Sequence, residues 1–196
     1  MKQRNFGLIF LALFIVSLAG CGGGQGAPGS SGSDTGIVIQ SDNLTVTSPD
    51  IDVIANTCAS GSGTEQPLTR TDATLNVVAT RLNPDTAMAD PFPGQIEQCT
   101  ITYLKGNENP GAPIIPQFTQ YPNCQLIEGT NTCNITLMDI QSKIDFWNAI
   151  AGGTNMPSNV TVHYVAVVNC TYMNIFGDSG SFQTELDIYL ADFATC

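Results

Sequence analysis

Alternation between apolar and polar positions dominates this chain. Leu75, Val77 and Ala79 share one face with Asn76 and Thr80 opposed; Cys99, Ile101 and Tyr103 alternate with Thr100 and Thr102; Cys133, Ile135 and Leu137 alternate with Asn134 and Thr136. A period of two is the mark of half-buried strands. Phe182, Thr184, Leu186, Ile188 and Leu190 form a further inward row against Gln183, Glu185 and Asp187. From Val162 to Tyr172 the even positions are apolar, but Val165 and Val167 make the other face apolar too, which predicts a central strand with something covering its second face. One segment breaks the period. Ile140, Ile144, Trp147 and Ala151 recur at helical spacing behind a capping Asp139 and ahead of Gly152-Gly153, predicting a short helix with that stripe buried and Trp147 as its plug.

Strands are expected near residues 44–54, 74–82, 96–104, 114–127, 132–138, 160–175 and 182–193, with turn-rich connections between them. Many short strands with a single helix point to an all-β fold, an antiparallel immunoglobulin-like β-sandwich with one short helix and disulfides. The resemblance is one of architecture. No cysteine lies in the second strand and the tryptophan sits on the helix, unlike true immunoglobulin domains.

The N-terminus carries a different kind of signal. Lys2 and Arg4 precede an uncharged apolar run from Phe6 to Leu18, which ends in Leu18-Ala19-Gly20-Cys21. The run falls short of the ~20 apolar residues that span a bilayer, and the layout is that of a secretory signal. Leu18 to Cys21 resembles the lipobox of bacterial lipoproteins, and the likeness covers residues 1–21 alone. It implies cleavage before Cys21, lipid on that cysteine, and a membrane held as partner through the anchor. Gly22 stands where some lipoproteins carry an inner-membrane retention aspartate, so the resemblance favours the outer membrane. Domains are accordingly expected as a signal peptide at 1–20, a lipidated cysteine with a flexible Gly/Ser linker at 21–36, and the sandwich at 37–196.

Removing Lys2 and Arg4 takes the formal charge of the 196-residue chain from −11 to −13. A surface of that sign repels phosphate backbones, so nucleic acid is not an expected partner. Six of the seven cysteines remain once Cys21 is assigned to lipid, an even number that reads as three disulfides in an exported protein. Sandwich topology selects among the connectivities. Parallel first and last strands would bring Cys58 to Cys196, antiparallel neighbours would join Cys99 to Cys170, and a hairpin would join Cys124 to Cys133. No CxxC or CxxCH occurs, no cofactor motif is present, and neither a cofactor nor a metal site is expected.

Catalytic motifs are sparse. Gly177-Asp178-Ser179-Gly180-Ser181 resembles the nucleophile segment of trypsin-like serine proteases, but the sole histidine, His163, lies sixteen residues before Ser179 within a strand, and Asp178 is the only acid between them. Without a base and its orienting acid a serine is not activated, so the segment reads as a hairpin loop. Asp50 with Asp52, and Asp85 with Asp90, offer oxygens that calcium would accept, yet no EF-hand loop is present. Four Asn-X-Thr sequons, at Asn43, Asn134, Asn159 and Asn169, follow from composition. Residues 107–122 are the best candidate for a partner surface: four prolines interrupt a run that still carries Ile114, Ile115, Phe118 and Tyr121. Its plainer reading is a proline-protected sheet edge. Together these features describe a lipid-anchored, non-enzymatic binding or structural module of the bacterial envelope or an extracellular assembly, with an envelope or extracellular protein as partner. A calcium-dependent adhesion or glycan-binding module, and an enzyme of unrecognised type, are the alternatives.

Overall fold

A computed structural model describes residues 35–55, 67–82 and 89–193. They form nine strands and one helix: β1 (Ile37–Thr45), β2 (Asp50–Asp52), β3 (Thr71–Arg81), β4 (Gly94–Lys105), β5 (Phe118–Gln120), β6 (Cys124–Leu126), β7 (Gly129–Met138), α1 (Ile140–Ala151), β8 (Val162–Met173) and β9 (Ser179–Ala191). One sheet has the order β1-β3-β7; the other runs β2-β9-β8-β4-β5, with β6 also paired to β4. The inward rows of both sheets meet in a single buried cluster that includes Leu75, Ile135, Ile101, Tyr164 and Leu190. The protein is thus mostly β, in two sheets about one core.

The single strand expected at 44–54 is two strands in different sheets. β1 starts earlier and pairs antiparallel with β3, while β2 crosses to the other sheet and runs parallel to β9. Likewise 114–127 is no continuous strand: β5 and β6 are three-residue pieces laid along separate parts of β4. Prolines at 116 and 122 explain the break, since each removes a backbone donor.

Two expectations about burial are corrected. In α1 the face that enters the core carries Ser142, Lys143 and Phe146, whereas Ile140, Ile144 and Trp147 remain 42%, 38% and 37% exposed. Adjacent helical positions lie about 100° apart, so the predicted stripe was one position out of phase. Phe146 is the plug, set edge-on to Tyr164 with ring centroids 6.1 Å apart. Lys143 is buried along its stem; burial lowers the ammonium's pKa and Asp52 opposes the shift. Asp139 does cap the helix, its Oδ1 accepting from Ser142 N at 2.6 Å. The second correction concerns β8. It is central, between β4 and β9, but α1 packs at the inner face's end and not over Val165 and Val167. These valines are shielded laterally, Val167 by its partners Thr102 and Glu185 and Val165 by Leu104 and Asp187.

Cys99 and Cys170 sit opposite one another on β4 and β8 and are disulfide-bonded, with Cα atoms 4.1 Å apart. A second disulfide joins Cys124 of β6 to Cys133 of β7, tying one sheet to the other. Cys58, Cys196 and Cys21 lie outside the described residues. The seam between the sheets has another tie: the Gln120 amide donates to Thr136 O at 2.8 Å and accepts from Thr136 N at 2.9 Å, taking the place a neighbouring peptide would occupy on the edge of β7. On the opposite seam, Asp42 of β1 faces Thr184 of β9. Burial raises its carboxyl pKa and the hydrogen bond from Thr184 opposes this.

The strands define two poles. At one, Asn174 Nδ2 donates to Thr35 O at 2.8 Å, so the described chain begins beside the β8–β9 turn. At the other lie α1, the start of β8 and the end of β9.

Candidate functional site

The β8–β9 turn is where the serine-protease resemblance falls, and its chemistry is structural. Asn174 organises it: Oδ1 accepts from Phe176 N at 2.8 Å and Asp178 N at 2.9 Å, while Nδ2 donates to Asp178 Oδ2 at 3.0 Å. Gly177 takes a φ of +91°, which a side chain would disfavour. Ser179 pairs with Met173, and His163 pairs with Tyr189, ten residues back along the same hairpin. At ~3.3 Å per residue that separation is about 33 Å, far beyond hydrogen-bond reach.

Of the acidic pairs, Asp90 spends its carboxylate on Arg81 Nη2 at 2.7 Å and Phe92 N at 3.1 Å, and Asp52 Oδ1 accepts from Ile54 N at 3.2 Å. Asp85 lies outside the described residues. Among the described residues no group of three or more His, Cys, Asp or Glu is placed to hold a metal ion.

The far pole is built differently. After β4 the chain leaves the sheet and returns at β5, and the intervening residues 106–117 are pinned at several points. Gly106 N donates to His163 O at 3.1 Å, Lys105 Nζ to Ala112 O at 3.0 Å, and the buried Tyr164 hydroxyl to Pro113 O at 2.7 Å. Asn159 N donates to Asn109 Oδ1 at 3.2 Å. Burial raises the pKa of the Tyr164 hydroxyl, which therefore stays a donor at all ordinary pH.

His163 completes the clamp. Its Nδ1 is 2.7 Å from Glu108 Oε1 of the pinned segment and its Nε2 is 2.7 Å from Asp187 Oδ1 of β9. A neutral imidazole has one N–H and would set a lone pair against one of the two carboxylates; only the imidazolium satisfies both. The Asp187 hydrogen bond is the main force raising its pKa, partial burial acts against it, and Glu108 adds to the rise. The Glu108 carboxyl is lowered by its own backbone N–H and then by His163. Tyr189 stacks on the imidazole at 5.0 Å with planes 22° apart, a favourable position for a cation.

The four apolar residues singled out in this region divide. Ile115 is buried in the core and Phe118 packs against it, so both hold the segment down. Ile114 and Tyr121 face solvent, 81% and 73% exposed. Sequence reasoning placed His163 within a strand but missed its partners. Glu108 and Asp187 lie 55 and 24 residues away in the chain, and only the folded register brings them together.

No family model, no curated protein and no solved structure matches the chain.

Proposed function

We propose that this protein is an exported, lipid-anchored, non-enzymatic binding or structural module of the bacterial envelope, built on an immunoglobulin-like sandwich and recognising a protein partner through the pinned segment at its far pole. The architectural reading is supported by the order β1-β3-β7 opposite β2-β9-β8-β4-β5, with the first part of the chain switching sheets to run parallel to the last strand. It departs from the antibody pattern in that Cys99–Cys170 links two strands of one sheet. Anchoring rests on the lipobox resemblance at Leu18 to Cys21.

One observation carries the partner reading: the segment 106–117 is held by β4, β8 and the connection between α1 and β8 at once, while Ile114 stays exposed. A fixed backbone lowers the ordering cost of binding, and an exposed apolar side chain on it supplies desolvation energy. The test is site-specific photocrosslinking in intact cells from Ile114 and Tyr121, with Ile127 as a control position near the other pole. Recovery of one reproducible envelope protein from the first two positions supports the reading. Equal yields from all three, or no adduct, would sink it.

A further inference from the structure

The outer face of the three-stranded sheet has its own chemistry. Its pairing sets side chains in cross-strand rows: Thr45, Thr74 and Asn134 in one, Asn43, Asn76 and Thr132 in the next, then Val78 with Thr130. Alternating residues of each strand share this face. Their neighbours Leu44, Leu75, Val77, Cys133 and Ile135 are buried in the core. Charged groups are confined to its ends, Arg70 with Asp72 at the far pole and Arg81 with Glu128 at the other. The outer face of the six-stranded sheet contrasts with it, carrying Glu185, Asp187 and His163.

At the far-pole end the rows run into a shallow depression of about 330 Å³, lined by Thr45, Thr47, Asp72, Thr74 and Asn134 among others. That volume is within the range of small-ligand clefts, ~300–1,000 Å³. The Thr45 hydroxyl donates to Thr74 O at 3.3 Å and keeps acceptor capacity, the Thr74 hydroxyl can donate and accept, the Asn134 amide does each with different atoms, and the Asp72 carboxylate accepts. Asp72 is oriented by Thr136 Oγ1 at 3.2 Å and Arg70 Nε at 3.0 Å.

The alternatives fit less well. Phosphate-bearing ligands are disfavoured by the net charge, an added peptide strand would engage an edge and not this face, and none of the exposed large apolar residues lies on β1, β3 or β7. We infer that the depression at Thr45, Thr74, Asn134 and Asp72, continued by the uncharged rows beside it, binds a neutral polysaccharide. A strand lattice of rigid donors and acceptors matches a ligand with repeated hydroxyls, and the rows let successive sugar units add weak contacts.

Affinity gel electrophoresis of the purified domain tests this, with dextran, laminarin, hydroxyethylcellulose and galactomannan as neutral polymers and polygalacturonate as a charged one. Retardation by at least one neutral polymer is expected, weakened about tenfold in the Thr74→Val/Asn134→Ala variant. Thr171→Val, on the other sheet's outer face, should behave as wild type. Urea midpoints establish that each variant is folded, and Thr45→Val serves if the double variant is not. Retardation by none of the neutral polymers, by polygalacturonate alone, or equally in all variants would overturn the inference. So would sedimentation showing a dimer that the same substitutions dissolve, since the face would then be a contact between copies.

Discussion

His163 shows how one side chain can hold a segment. A group whose pKa is raised by folding contributes stability that is fully present below its ordinary value, near 6.5, and is lost as pH rises through the folded value. Glu108 behaves oppositely: its lowered carboxyl contributes above its ordinary value and loses that contribution as pH falls through the folded one. The clamp is therefore tightest between the two. An NMR titration of the His163 ring should give a midpoint above 6.5, which Asp187→Asn lowers more than Glu108→Gln. A midpoint at or below 6.5 would mean that the ring is not charged between its carboxylates. None of this was visible in the chain, where the histidine has no acidic neighbour at a suggestive spacing. Asn174 was hidden for a related reason: its role depends on a turn whose Gly and Asp were legible but whose organiser precedes them.

At the scale of elements, period-two rows identified β3, β4, β7, β8 and β9, because half-buried antiparallel strands must alternate. They failed where the backbone departs from a regular ladder. β1 contains a bulge between Ile39 and Ser41, which resets which residues point inward and obscures the alternation. The helix was found and its face mistaken, since apolar residues at 140, 144, 146, 147 and 150 permit two stripes and only docking selects one. The selection has an energetic consequence. Phe146→Ala should cost about 3–5 kcal/mol in urea denaturation, the usual range for emptying a core aromatic site, while Trp147→Ala should cost under about 1 kcal/mol. The reverse order would restore Trp147 as the plug.

For the whole molecule, the cysteine count and strand adjacency were informative because a disulfide demands close Cα atoms, and neighbouring strands supply them. The two bonds seen divide the labour: Cys99–Cys170 works within one sheet and Cys124–Cys133 between sheets. The lipid anchor proposed above predicts that replacing Cys21 with Ser moves the protein from the membrane to the soluble fraction of cells, because the apolar run of residues 6–18 is too short to span a bilayer and several acyl chains are what make anchoring lasting. Persistence in the membrane fraction would show that attachment does not depend on that cysteine.

The described chain enters beside Asn174, at the pole opposite the pinned segment and helix, and this fixes how the strands would lie to a force applied between the two poles. Twelve-residue β8 measures roughly 40 Å from that pole to the pinned segment and helix at the other. A pull applied between Thr35 and the far pole would act parallel to the strands, drawing β1 lengthwise past β3. The hydrogen bonds of that ladder then resist together in shear, where a pull across the sheet would break them one after another. Tyr172, whose hydroxyl donates to Ile37 O at 3.2 Å, fastens the first residue of β1 to the central strand of the opposite sheet, so tension reaching β1 is shared with the six-stranded sheet from the outset.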